Sequence, residues 1–309
     1  MKYLNIRNKI TNASEIALGM MRISDMQLKE VDALVKTAFE NGINFFDHAD
    51  IYGGGKCEEI FGDVLDMNPS IREKYIIQTK CGIRKGFFDF SKVHILTSVD
   101  ESLKRLKTDY IDVLLLHRPD TLMEPEEVAE AFDTLKKSGK VKFFGVSNQK
   151  PYQIELLQKY LNNVGIEIII NQLQMSVTHT GMIDSGINVN MKSEGSVNHD
   201  GDILEYCRLK EITIQPWSPF QYGFFEGAFL GNLEKFPKLN EVIDKYAKQY
   251  NVTNSAIAIA WLLRHPAKMQ PIVGSTNKTR VAEICKASDV NLAKKEWYEI
   301  YLSAGNILP

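Results

Sequence analysis

The chain has 309 residues, of which 44% are apolar and 25% charged, and its formal net charge is −2. These are ordinary proportions for a globular protein with a large core. There is no basic excess to attract a phosphate backbone, which argues against nucleic-acid binding, and no stretch approaches the roughly 18 apolar residues of a membrane-crossing helix.

The opening "MKYLNIRNKITNASEIALGM" lacks the continuous apolar core of an export signal. Within it, "EIALGM" (15–20) is the first short apolar run and reads as a strand. "MQLKEVDALVKTAFENG" (26–42) follows with Leu28, Val31, Leu34, Val35 and Ala38 at helical spacing, and it stops at Gly42. The second strand is "INFFD" (43–47). The third is "YIIQTK" (75–80), reached through "YGGGKCEEIFG", whose tandem acids Glu58 and Glu59 suit a helix N-terminus. "DFSKVHILTSVDESLKRLKTD" predicts a helix capped by Ser91, with Val93, Leu96, Val99 and Leu103 on its apolar stripe.

The fourth strand is "YIDVLLLH" (110–117). The helix after it, "EPEEVAEAFDTLKKSGK", carries Pro125 and acids at its start, lysines near its end and a terminal Gly139. Strands five to eight are "VKFFGVSN" (141–148), "IEIIINQ" (166–172), "EITIQPW" (211–217) and "QPIVGS" (270–275). Two long segments are expected to be loops. One spans 175–201 and is rich in Gly, Ser and Asn; the other is "QYGFFEGAFLGNLEKFP", whose Phe224, Phe225 and Phe229 would suit a functional lid better than a solvated tether. "TNSAIAIAWLLRHP" and "NLAKKEWYEIYLSAGN" read as further helices.

Most of the eight runs are continuously apolar, which marks strands covered on both faces. Eight such strands alternating with helices predict one domain over 1–309, an α/β fold of the (β/α)8 TIM-barrel type with extra covering helices and long loops at its C-terminal face. A doubly wound open sheet is the other architecture with this alternation. The four cysteines, Cys57, Cys81, Cys207 and Cys285, have neither zinc nor CxxC spacing. They read as buried small hydrophobes in a reducing, cytoplasmic protein.

Barrel active sites sit where the strands end. Strand two ends at Asp47, with Tyr52 in the loop beyond; strand three ends at Lys80 and strand four at His117. Each alone has an ordinary explanation as a cap or a solvated charge, but three neighbouring strand ends converge on one side of the mouth. An ammonium about 4 Å from a phenol, at an effective dielectric near 20, favours the phenolate by roughly 4 kcal/mol. Asp47 partly offsets this while holding Lys80 charged. A phenol tuned in this way protonates an oxyanion, and a neutral histidine donates to the same oxygen. That set suits reduction of a carbonyl with hydride from a cofactor. A metal centre is the rival, but the six histidines form no HxH or HxxxH pair, and His48 reads as packing beside the site.

At these residues the sequence resembles the aldo-keto reductase superfamily, essentially along its whole length and most closely a bacterial cytosolic oxidoreductase branch. "GINFFDHADIYG", "IIQTK" and "LLLHRPD" resemble the family blocks that hold a catalytic tetrad. The resemblance implies Asp47, Tyr52, Lys80 and His117 for those roles. "GKVKFFGVSN" and "INQLQ" imply Ser147, Asn148 and Gln172 at the nicotinamide carboxamide. "PWSPF" implies Trp217 against the nicotinamide ring, with Ser218, Pro219 and Phe220 leading over the pyrophosphate. "LGMMR" implies Gly19, Met20 and Met21 beside the cofactor. "PIVGSTNKTRVAEI" resembles the adenosine 2′-phosphate block and implies Gly274, Ser275, Thr276, Arg280 and Glu283. An arginine there suits a dianionic phosphate, so NADPH is expected ahead of NADH, whose use stays open. The implied partner is a small-molecule carbonyl substrate. The resemblance admits one other role, a cofactor-binding regulatory or redox-sensing barrel with little turnover. Neither the substrate nor the oligomeric state is legible.

Overall fold

The computed structural model of the protein describes residues 1–66 and 69–309. Its core is an eight-stranded sheet whose neighbours all run parallel. The strands are β1 (Ala17–Gly19), β2 (Phe45–Asp47), β3 (Ile76–Cys81), β4 (Ile111–Leu116), β5 (Val141–Ser147), β6 (Ile168–Gln174), β7 (Thr213–Trp217) and β8 (Ile272–Val273). They are hydrogen-bonded in the order β7-β6-β5-β4-β3-β2-β1-β8. The open edges meet just before β8, where the Gln270 amide donates to the Ile214 carbonyl of β7 at 3.0 Å. All eight expected strands are present, and the rolled sheet is the expected barrel rather than an open one.

The helices are α1 (Leu28–Glu40), α2 (Lys56–Asp66), α3 (Lys92–Leu106), α4 (Pro125–Lys137), α5 (Pro151–Leu161), α6 (Gly181–Ile187), α7 (Ile203–Leu209), α8 (Pro237–Tyr250), α9 (Asn254–Leu263), α10 (Lys278–Cys285) and α11 (Lys294–Ser303). Ser91 caps α3 as expected, accepting the His94 amide at 3.3 Å. The buried stripe of α3 differs from the expected one. It runs Ile95, Ser98, Val99, Ser102 and Leu106, while Val93 is 75% exposed. Val99 is buried as expected, and Leu96 and Leu103 pack partly buried against the core. The expected stripe is therefore rotated towards one side, with Ser98 and Ser102 taking buried positions that apolarity alone does not mark. On α1 the stripe holds for Val31, Leu34, Val35 and Ala38, whereas Leu28, in the first turn, lies exposed.

The segment 175–201, expected to be a loop, contains α6 and a short 3-10 turn at Glu194–Ser196. Met182 and Ile183 anchor that helix in the core, and the Asp184 carboxylate accepts from the Tyr301 hydroxyl at 2.6 Å. Its Gly- and Ser-rich composition hid the two buried side chains that order it. The second expected loop holds a small hairpin, Gln221–Tyr222 with Gly227–Ala228. Phe229 is fully buried and belongs to the core, while Phe224 and Phe225 stay exposed.

Side chains alternate in and out along each strand. Phe46, Ile77, Leu114, Leu116 and Ile214 point to the helices, whereas Phe45, Val113, Leu115 and Ile170 pack in a separate inner cluster. An N-terminal hairpin, Tyr3–Ile6 with Ile10–Ser14, adds Ile6, Ile10 and Ala13 to that inner cluster and so closes the barrel at the N-terminal ends of the strands. Towards the C-terminal ends of the strands the inward positions turn polar. Asp47 follows Phe45, Gln78 and Lys80 follow Ile76, and His117 follows Leu115.

The α2–α3 contact requires a glycine. A Cβ on Gly62 would lie 2.2 Å from the Arg105 carbonyl oxygen, and backbone cannot move aside cheaply. Gly62→Ala is expected to cost about 1–3 kcal/mol in urea unfolding. Gly181→Ala, where a Cβ would meet nothing within 4 Å, is expected to stay within about 0.5 kcal/mol. Equal stability of the two variants would refute this packing.

Candidate active site

Asp47 ends β2 and Lys80 stands one residue from the end of β3, both fully or almost fully buried. The Lys80 ammonium bonds both carboxylate oxygens of Asp47, at 2.7 and 2.8 Å, and the His48 carbonyl at 2.7 Å. It also lies 3.2 Å from the Tyr52 hydroxyl. Burial opposes the charge on Lys80, but Asp47 and Tyr52 more than offset it and raise its pKa. Tyr52 reaches the site from a single 3-10 turn, Tyr52–Gly55, in which Gly53 and Gly54 take left-handed φ values of 57° and 65°. That turn swings the chain back over the mouth, a path open to glycine at little cost.

The phenol differs from the sequence expectation in one respect. Burial raises the Tyr52 pKa; Lys80 pulls it down, Asp47 pushes it back up, and the net direction is upward. The interaction with the ammonium exists, but loss of water outweighs it, so the hydroxyl is protonated at neutral pH. His117 follows β4, and its ring meets that of Tyr52 edge-on, with centroids 5.9 Å apart. Burial, then Lys80 and Arg118, hold His117 well below the usual imidazole range, so it is neutral. Its Nδ1 is buried without a partner.

Beneath these groups lies a layer of glutamines of which the sequence reading named only Gln172. Gln78 and Gln172 both donate to Asp47 Oδ1, at 2.6 and 3.1 Å, and both donate to Gln215. Gln215 donates to Gln270, which donates to the Ser14 carbonyl. Gln172 is thus brought to the site, with its amide nitrogen on Asp47 rather than at the open mouth. The inward alternation of each strand was the signal that would have exposed this layer.

Ser147 ends β5 and Asn148 follows it, beside Gln172. The Ser147 hydroxyl donates to the Gln172 carbonyl, and the Asn148 amide side chain donates to Ser147 Oγ. The Trp217 indole donates to Asn148 Oδ1 at 3.1 Å. Asn148 and Ser218 hold left-handed φ values of 59° and 53°, strain of the kind stored at functional sites. Phe225 stacks on Trp217 at 5.9 Å and Phe224 meets it edge-on. Arg118, half-buried, lies over both the Trp217 and Phe224 rings. Pro219 is buried and Phe220 partly so at the start of this loop.

Met20 is fully buried in the core, while Gly19 and the exposed Met21 stand at the rim of β1. Gly19 packs against β8, where a Cβ would come within 2.9 Å of Ile272. Gly274, Ser275 and Thr276 form the exit from β8, and Arg280 lies exposed in the first turn of α10. Asn277 caps that helix by accepting the Arg280 amide at 3.0 Å. Glu283 lies one turn on and partly buried. Lys278, the first residue of α10, adds a second cation there.

Two neighbours have purely local explanations. His48 is fully buried against Phe61, and burial, then Lys80, lower its pKa to about 3. Glu58 does more than favour a helix terminus. It is fully buried, accepts from Thr79 and pairs with Arg105 at 2.8 Å. The four cysteines are free and buried, and no group of three or more His, Cys, Asp and Glu side chains gathers as a metal site among the described residues. No helix among them is long and apolar enough to cross a membrane.

Comparison with known proteins adds four findings. Residues 15–301 match the model of the aldo/keto reductase family. The chain is 36% identical over 305 residues to a 6-dehydroglucose reductase of Agrobacterium fabrum, covering 94% of each chain. It is 35% identical over 302 residues to the uncharacterized oxidoreductase YcsN of Bacillus subtilis, covering 93% of each. Its fold matches the crystal structure of a thermostable aldo-keto reductase bound to the inhibitor epalrestat. That match has a TM-score of 0.76 and 24% identity, and it covers 98% of this chain and all of the other.

Asp50, between Asp47 and Tyr52, titrates abnormally. Burial and then Glu58 raise its pKa to about 7, against the opposing pull of Arg105 and Arg84. The folded state therefore binds this proton more tightly than the unfolded chain does. The resulting stabilisation is complete below about pH 4 and is lost as pH rises through about 7. Asp50→Asn is expected to be more stable than the parent at pH 8, by on the order of 1–2 kcal/mol, with the gap closing towards pH 5. Thermal melts of both proteins across that range would check it, and a gap independent of pH would contradict it.

Proposed function

The chain belongs to the aldo/keto reductase family, and on that premise we propose that it reduces an aldehyde or ketone to an alcohol with a nicotinamide dinucleotide, NADPH in preference to NADH. The observation that carries this reading is the buried Asp47–Lys80 pair with the Tyr52 hydroxyl 3.2 Å from the ammonium. No side chain donates hydride, and the mouth has groups that fit a cofactor which does. Trp217 offers an aromatic face, Ser147 and Asn148 offer amide and hydroxyl groups, and Gly274 has nothing within 4 Å of where a Cβ would stand. At the exit of β8, the exposed first turn of α10 with Arg280 and Lys278 suits a phosphate. Gly19, Met21, Ser218, Pro219 and Phe220 would contact the same cofactor. Met20 acts through packing, and Gln172 through its bond to Asp47. Ser275, Thr276 and Glu283 complete the adenosine end.

When bound, the dinucleotide supplies the hydride. The rest follows from the side chains. His117, neutral, donates to the carbonyl oxygen and orients it. Tyr52 keeps its proton until that oxygen gains negative charge, then gives it up, because an alkoxide is far more basic than even a raised phenol. Lys80 stabilises the tyrosinate left behind, and Asp47 keeps Lys80 charged and in place. Arg118 stands half-buried beside these groups without an ion pair among the described residues. It is suited to the oxygens of a polar carbonyl substrate, and the similarity to a 6-dehydroglucose reductase supports that class.

Tyr52→Phe is expected to lower kcat by about 10²–10⁴-fold while leaving dinucleotide affinity nearly intact. Single-turnover kinetics beside a cofactor titration would show this, and undiminished turnover would overturn the assignment. Arg280→Ala is expected to weaken NADPH by about tenfold, roughly 1.4 kcal/mol, and NADH hardly at all. Equal losses would remove Arg280 from the 2′-phosphate. Quenching of tryptophan fluorescence by neither dinucleotide would sink the reductase reading as a whole.

A further inference from the structure

A cavity of about 390 Å³ opens between α6, α7, the end of α9 and the start of α11. It is remote from the site above. The chain leaves α7 and α9 to enter β7 and β8, so the C-terminal ends of these helices lie at the N-terminal end of the barrel, opposite the mouth. None of the residues assigned above lines it. Its size falls in the range of small-molecule pockets, roughly 300–1,000 Å³.

The floor is apolar. Ile183, Leu204 and Trp297 are buried, and Ile187 is half-buried beside them. The Trp297 indole N–H is already bonded to the Trp261 carbonyl at 3.0 Å, and its ring stacks on that of Trp261 at 4.7 Å. What it offers the cavity is hydrocarbon. The rim is cationic. Arg208, Arg264 and Lys294 line the opening, all three exposed and none in an ion pair among the described residues. Glu205 is the one acid in the lining. The Arg264 Nε donates to the Leu292 carbonyl at 2.7 Å, which anchors its guanidinium. His265 accepts the Ala267 amide at Nδ1, so its neutral ring carries the proton on Nε2. Burial, and then Arg208, lower its pKa to about 4, so it contributes a donor and no charge.

We propose that this cavity is a second binding site, for a small organic anion bearing one carboxylate, sulfonate or phosphate on a flat or branched apolar body. The apolar part would cover Trp297, Leu204 and the isoleucines of α6, and the anionic group would meet the three unpaired cations. A concave pocket of this volume, closed on its floor by buried side chains, has the form of a small-molecule site. The charge balance of the lining, three cations against one carboxylate, selects against neutral and cationic analogues. The inference does not depend on the proposed reductase activity.

The test uses the full chain and 1-anilinonaphthalene-8-sulfonate as probe, titrated by fluorescence with NADPH in excess. Two variants keep the question open if one misfolds. The double variant Arg208→Glu, Lys294→Glu reverses the rim. Gly186→Leu fills the cavity from α6, where a Cβ would meet nothing closer than the Glu205 carboxylate at 3.8 Å. One saturable site is expected. Its affinity should fall by about tenfold or more in a folded variant and weaken as salt screens the rim. The uncharged analogue N-phenyl-1-naphthylamine should bind correspondingly worse, and Tyr52→Phe should bind the probe like the parent. Affinity unchanged in the folded variants, no saturable binding, or full displacement of the probe by NADPH would each overturn the site.

Discussion

The ion pair between Lys80 and Asp47 is the constraint around which the barrel interior is organised. Taking either charge out of water alone costs several kcal/mol even after relaxation. The pair is tolerable because the ammonium and both carboxylate oxygens are themselves answered. The ammonium has two carboxylate oxygens, the His48 carbonyl and the Tyr52 hydroxyl around it, and Asp47 Oδ1 takes two glutamine amides besides. Five elements meet there: β2, β3, β6, the chain after β2 and the Tyr52 turn. A shift in any one of them would leave a buried charge unmatched.

The interior below the pair is built to carry that polarity. An apolar plug of Ile6, Phe45, Val113 and Leu115 fills the N-terminal end of the barrel. Above it Gln78, Gln172, Gln215 and Gln270 pass hydrogen bonds from the Ser14 carbonyl to Asp47. The amide oxygen of Gln78 and Nδ1 of His117 are left without partners. Unsatisfied buried polar atoms are rare, and each calls for an explanation. The His117 ring stands against Tyr52, the group that gives up a proton in the proposed chemistry, with centroids 5.9 Å apart. The layered order, apolar, then amide, then ionic, lets a charged site exist at the end of an otherwise dry barrel.

At the mouth, the protein exchanges regularity for shape. Asn148 and Ser218 hold left-handed backbone conformations at the ends of β5 and β7, each costing on the order of 1–3 kcal/mol. The Trp217 indole bond to Asn148 ties the two strained positions together. Over them Phe224 and Phe225 remain exposed yet packed on Trp217, so the aromatic loop borders the opening without entering the core. The loop is held from below by Gln174, which donates to the Gly223 carbonyl, and by Ser176, which donates to the Gln221 carbonyl.

The sequence by itself determined the barrel and the ionisable residues at its mouth. Eight short runs, most of them continuously apolar, specify strands covered on both faces, and local patterning decides that before any contact forms. Asp47, Lys80 and His117 were legible because each stands at or beside a strand end, where the side-chain alternation directs it inward. Other features were decided only when distant segments met. Gln215 and Gln270 read as ordinary polar residues until closure of the sheet aligned them. Glu58 read as a helix-end charge until α3 brought Arg105 to it. The phenol of Tyr52 was expected to be drawn down by Lys80, but its protonation depends on how much water the assembled barrel excludes. The order in 175–201 rests on Met182 and Ile183 finding the core, and the cavity beside α6 exists only because four helices from separate parts of the chain leave a gap there. Burial and closure are properties of the packed whole, and no local pattern encodes their magnitude.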